Sequence, residues 1–212
     1  MSSYVPYVLD SVKLRCPGVV KQGERPADVR GALLDAALRL IETLPEDKVS
    51  LRACARLAGV SHAAPAHYFP TRVALISAVL AHAYNQLTEA MIRARDAAGD
   101  DPFDRLKAIG LAYVAFGLAH PALYAMLFRP TYLQVPDSEM AEAGYRCANV
   151  LGEAVAATPR PGGMTLAAGI TLAWTAVHGF VGLVCNGLIL LDEAPIAAAE
   201  RALEQQRSAF SG

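Results

Sequence analysis

The residues of this 212-residue chain that could do chemistry gather in two places. Trp174 and His178 stand four apart, one helical turn, which sets an indole wall beside a titratable ring. An apolar pocket with a few convergent polar groups is the usual small-molecule site, and Tyr113, Phe116, Tyr124 and Met126 could supply its other walls. The competing reading makes Trp174 and His178 core residues with satisfied N–H groups. The second place is around His62, His67 and Tyr68, with Arg52 and Arg56 four apart on one outward helical face just before them. His62 and His67 are five apart, awkward for one metal on a helix, and they read better as groups turned toward a polyanion. Solvated charges on an ordinary helical hairpin would give the same pattern.

Several chemistries are missing. There is no G-x-S-x-G, no P-loop, no G-x-G-x-x-G, no H-E-x-x-H and no carboxylate pair in an apolar stretch, so an all-helical enzyme is a weaker alternative. Cys16, Cys54, Cys147 and Cys185 are far apart, without C-x-x-C or a His partner at ligand spacing, so neither a metal nor a cofactor is expected. Cys54 and Cys185 fall on apolar helical faces and are expected as buried thiols. The first 20 residues include Pro6, Asp10 and Pro17 and lack a long apolar core, so no signal peptide is expected and the cytoplasm is the expected location. Net charge is −1, yet the halves differ: residues 1–95 carry twelve Lys/Arg against eight Asp/Glu, and residues 96–212 seven against twelve. A basic module fused to an acidic one would read this way.

The elements that must position these groups are helical. Residues 1–25 mix Pro6, Pro17, Gly18 and Gly23 with Lys13, Arg15, Lys21 and Arg25 and are expected as a flexible leader. Leu33, Ala36, Ala37, Leu40 and Leu44 form a first helical stripe. Ser50 is placed to cap a second helix carrying Leu51, Cys54, Ala55 and Ala58. Gly59 allows a left-handed turn, and Ser61 offers a second cap. A third helix is expected from near His62, its first turn made irregular by Pro65. Two short helices about a tight turn make a helix-turn-helix, whose second helix can enter a major groove. Thr71 then caps a helix running to about Ala98, expected as the only continuous connection to the second half. Helices follow at about 102–119, 121–128, 137–157, 163–190 and 195–210.

Residues 163–191 hold 29 consecutive positions without Asp, Glu, Lys or Arg. At about 1.5 Å per residue such a run could span a bilayer. Against this stand three threonines, His178, Asn186 and five glycines, with Asp192 and Glu193 directly after. In the preferred reading, no membrane is involved. Placed at 100° per residue, Ala167, Ile170, Thr171, Trp174, His178, Val181, Cys185 and Leu188 form one face; Thr165, Gly169, Leu172, Ala176, Leu183 and Gly187 form another, rich in small residues and assigned to a two-fold homodimer interface.

The ordered strings Ala58-Gly59-Val60-Ser61, His67-Tyr68-Phe69-Pro70, Arg72 and Ala74-Leu75 resemble the DNA-binding domain of the TetR family of transcriptional regulators. Ala119–Phe128 and Trp174-Thr-Ala-Val-His178-Gly179 resemble the C-terminal domain of a TetR subfamily named for its Trp-x-x-x-His-Gly (WHG) signature. The resemblance implies an all-α chain of about nine helices: a leader at 1–25, a helix-turn-helix domain at 26–72, and an effector-binding and dimerisation domain at 73–212. It implies phosphate contacts at Ser50, His67, Tyr68 and Arg72, base reading by His62, Ala63 and Ala64, and an effector site including Tyr113, Phe116, Tyr124, Met126, Trp174 and His178. His62, Pro65 and Ala66 depart from the commonest pattern, where lysine, leucine and tyrosine are frequent. The implied partners are a double-stranded DNA operator, a small, largely apolar effector and a second copy of the chain; the implied function is a repressor released by the effector.

Overall fold

The computed structural model describes residues 28–129 and 139–211; the leader lies outside the described residues. In chain order these contain α1 (Val29–Thr43), a 3₁₀ turn (Glu46–Lys48), α2 (Leu51–Leu57), α3 (Ala64–Tyr68) and α4 (Arg72–Ala97). There follow α5 (Pro102–Ala119), α6 (Pro121–Leu127), α7 (Glu139–Ala157), α8 (Leu166–Cys185), α9 (Pro195–Gln205) and α10 (Arg207–Ser211). The expected all-α class holds, with no strand among the described residues. The helices pack as two compact units, and α7 as well as α4 runs from one into the other, so α4 is not the only continuous link.

The described part of the first unit comprises residues 28–84, 120–129 and 139–144. Asp28 opens α1 by accepting the Gly31 N–H at 2.9 Å, satisfying one of the donors that a helix start leaves free. Ser50 does the same for α2, accepting from Ala53 at 3.2 Å. The end of α2 is set by Gly59 at φ +68°: Val60 N–H reaches Ala55 O at 3.0 Å and Gly59 N–H reaches Arg56 O at 3.3 Å, the paired bonds of a Schellman cap. A Cβ on Gly59 would meet nothing within 4 Å, so the backbone conformation and not space demands glycine there.

The start of α3 departs from expectation. The helix begins at Ala64 with Pro65 in its first turn and Ala63 at the cap position without a side-chain bond. Ser61 contributes its carbonyl, which accepts from Ala64 N–H at 3.0 Å. A proline lacking its N–H fits only in the first turn, so the start moves inward from His62. Thr71 caps α4 as expected, accepting from Ala74 N–H at 3.0 Å. Leu33, Val49, Leu75 and Leu123 are fully buried and join α1, the loop before α2, α4 and α6 in one core. Each such side chain contributes about 1.5–3 kcal/mol.

In the second unit, α5 packs on α8 and α9. A Cβ on Gly110 would lie 3.1 Å from Leu203 Cδ1 and 3.2 Å from Val177 Cγ1, so glycine admits both neighbours. Thr165 caps α8, accepting from Ala168 N–H at 3.1 Å, and Gly187 at φ +64° closes its far end with a second Schellman pair. These signals cut the expected 163–190 helix to Leu166–Cys185. The buried stripe is Gly169, Ala173, Val177 and Val181, which falls between the two faces drawn from the sequence. Gly169, assigned outward, is inside: its Cβ would lie 2.9 Å from Val155 Cγ1. Cys185, expected buried, is exposed, whereas Cys54 is buried as expected. Small residues decide the matter, because helices approach most closely where side chains are shortest. At the end of the chain the Arg207 guanidinium sits 4.4 Å from the centroid of the Phe103 ring and pairs with Asp104 and Glu204.

Candidate functional site

In the first unit, the helix-turn-helix presents His62, Ala63, His67 and Tyr68 to solvent, with Ala64 half-buried; Tyr68 is 46 % exposed. Arg52 and Arg56 are exposed as well. Residues 50–70 contain no Asp or Glu, so two guanidiniums and two imidazoles stand there without an acid in the same stretch. Phe69 and Pro65 turn inward and anchor α3. The Arg30 guanidinium lies 5.6 Å from the centroid of the Phe69 ring while its Nη2 donates to Glu139 at 3.0 Å. Such a surface, exposed and carrying basic groups without acids in the same stretch, can approach phosphates and base edges.

Arg72 is held differently. Its Nε donates to Val49 O at 2.7 Å and its Nη2 to Glu46 O at 2.6 Å, with the Glu46 carboxylate 3.6 Å away. Glu46 also pairs with Arg129. Burial pushes the Cys54 thiol nearby up to about 11, offset in part by a backbone hydrogen bond and by the Arg72 charge, so this cysteine stays a neutral core group.

In the second unit, three of the six effector candidates meet. Tyr113 Oη lies 2.9 Å from His178 Nδ1, and Trp174 Nε1 donates to Tyr113 Oη at 3.4 Å. An indole N–H can only donate, so Oη accepts from Trp174, while between Oη and Nδ1 the donor is set by the His178 tautomer. Burial lowers the His178 pKa, which favours the neutral imidazole. Trp174 stays 43 % exposed, so the cluster opens to one side of α8. Phe116 is in the packed interior of this unit, whereas Tyr124 and Met126 are buried in the other unit, Tyr124 edge-on to Phe128 at 5.2 Å. Among the described residues, no cluster of three or more His, Cys, Asp or Glu could hold a metal.

The family model described as the Tetracyclin repressor-like C-terminal domain matches residues 106–206. A curated relative, the HTH-type transcriptional regulator BetI of Stenotrophomonas maltophilia, is 35% identical over 89 residues. That match spans 42% of this chain and 45% of BetI, so the chain covers under half the length of the curated relative. A solved protein of unknown function from Rhodococcus sp. RHA1 is 31% identical with a TM-score of 0.73, covering 90% of this chain and 100% of that one. A TetR family transcription regulator from Marinobacter aquaeolei shares the fold at 20% identity and TM-score 0.61, over 82% of this chain and 93% of its own. Residues 106–206 belong with the TetR-type C-terminal domains, and the chain is similar to transcriptional regulators of the TetR family.

Sequence reasoning gathers Ser50, His62–Ala64, His67 and Tyr68 on one stretch, and the fold brings them onto one helix-turn-helix head. It missed Glu46. Nothing in the sequence pairs that residue with Arg72 and Arg129, which are 26 and 83 positions away.

Proposed function

We propose that this protein is a homodimeric operator-binding regulator, a repressor of the WHG subfamily, whose acidic second half binds a small and largely apolar effector. The single observation behind the DNA reading is the exposed face of His62, Ala63, His67 and Tyr68 on a helix-turn-helix whose 50–70 stretch lacks acids. In this reading Ser50, His67 and Tyr68 meet phosphates and His62, Ala63 and Ala64 face base edges. Selection of duplexes from a random pool on the full chain tests it. Tyr68→Ala is expected to weaken every duplex alike and to lower the slope of log affinity against log salt, whereas His62→Ala and Ala64→Ser shift the selected sequence. A consensus unmoved by either of the latter two would remove those residues from base reading.

The effector proposal rests on Tyr113, Trp174 and His178, where an indole face adjoins a neutral imidazole. Phe116, Tyr124 and Met126 are buried and make none of the hydrogen bonds of this cluster. An effector can release DNA only through unequal affinity for the two states of the regulator. Equal operator affinity with and without a bound ligand would end this part.

One observation favours a second reading of α8. Its 20 residues are long and apolar enough to cross a membrane by length and composition, and most of them are not buried within the chain. In the proposed dimer a second copy covers that open side, and Ala168, Thr171, Thr175 and Gly179 let the two copies approach closely. Sedimentation after lysis without detergent separates these readings: a dimer in the supernatant supports the first, and recovery only with the lipid fraction supports the second.

A further inference from the structure

We infer that Arg72 is a positioning residue that closes the helix-turn-helix into a loop from inside, and that Glu46 is its working partner. The inference rests on the proposed DNA reading. It departs from the phosphate-contact role that the resemblance gives Arg72.

The geometry carries it. Residues 46–72 leave the 3₁₀ turn, pass through α2, the Gly59 turn and α3, and return at the first residue of α4. Arg72, at the end of that path, donates to Glu46 O and Val49 O at its beginning, at 2.6 and 2.7 Å. The guanidinium fork thus ties the two ends of the DNA-reading segment together. Val49 is fully buried and is followed by Ser50, the cap of α2, so the tie fixes the point from which α2 departs. The Glu46 carboxylate completes the arrangement by lying between Arg72 and Arg129, so the charge of Arg72 is already met within the protein. A planar fork can hold two carbonyls at once, and an ammonium at the end of a flexible stem cannot do so with the same geometry. Closing a loop of this length costs the unbound chain entropy, and the tie pays that cost before DNA arrives.

Positioning and phosphate contact predict opposite outcomes for three variants. A duplex recovered by selection on the wild-type full chain serves as the probe, with its affinity followed across salt concentrations for wild type, R72K, R72Q and E46Q. Melting temperature and helical circular dichroism are recorded for each. If the wild type selects no duplex, the DNA reading itself fails; that result is distinct from any outcome among the variants.

If Arg72 positions, R72Q loses about tenfold in affinity with its salt slope unchanged, and R72K loses nearly as much despite keeping the charge. E46Q then also weakens binding, by about threefold, although removing an acid beside a polyanion should strengthen it on charge alone. Merely lowering the stability of the head would not produce that reversed sign in a chain that is still folded at the assay temperature. A salt slope lowered by about 0.9 in R72Q, the signature of one lost phosphate contact, overturns the inference. So does wild-type affinity in R72K, or tighter binding by E46Q. E46Q retains the backbone carbonyl that Arg72 grips, so it remains informative if R72Q does not fold.

Discussion

Replacing Tyr113 with phenylalanine removes one oxygen and leaves the ring packing of a residue that is only 7 % exposed. No cavity is created, so the large cost of core truncation does not enter. The oxygen makes a good bond to His178 Nδ1 at 2.9 Å and a long one to Trp174 Nε1 at 3.4 Å. The long bond contributes little, because Trp174 is half-exposed and water can replace its partner. The expected loss is therefore about 1 kcal/mol at pH 7.5, the net worth of one hydrogen bond, or roughly 2–4 °C in melting temperature for a chain of this size. The loss has a pH signature. Burial lowers the His178 pKa from the ordinary 6.5, so in the window below 6.5 the unfolded chain binds a proton before the folded one does. This contribution to stability is present above 6.5 and is lost as pH falls through the lowered folded value. Once His178 is protonated, Nδ1 carries its own hydrogen and the pair holds only with Tyr113 Oη as the acceptor. Urea unfolding from pH 8 to 4.5 should show wild type above the variant at neutral pH, with both losing stability below 6.5. No gap at neutral pH, or one above about 3 kcal/mol, would refute the hydrogen-bond assignment and point to packing instead.

Gly59→Ala is expected to cost about 1–2 kcal/mol in urea unfolding, since φ is +68° and nothing crowds the new methyl; Gly59→Asn should cost less. At Gly169 two effects compete: alanine gains about 1 kcal/mol in helix propensity, and overpacking against Val155, 2.9 Å from the new Cβ, costs about 1–3 kcal/mol. Overpacking should win, and a raised melting temperature in Gly169→Ala would show that Val155 gives way. Thr175→Arg places a charge on the open side of α8 and should convert a dimer into monomers in analytical ultracentrifugation with helicity retained; an unaffected dimer would move the interface elsewhere.

Much of this protein was legible in the sequence because its signals are local. Ser50, Gly59, Thr71 and Thr165 act through backbone groups within a few residues, so their hydroxyls and missing side chains announce helix ends before any tertiary contact exists. The helix-turn-helix and its exposed His67 and Tyr68 follow from such signals in order. The helix periodicity of α8 was equally plain, but its orientation was not: 100° geometry says which residues share a face, and only the approach of α5, α7 and α9 chose Gly169, Ala173, Val177 and Val181 as the buried one. The same limit hid Cys185 on an exposed side. Ion pairing lay furthest out of reach. Glu46, Arg72 and Arg129 meet because the chain returns on itself, and Coulomb attraction depends on distance in space, which no spacing in sequence encodes.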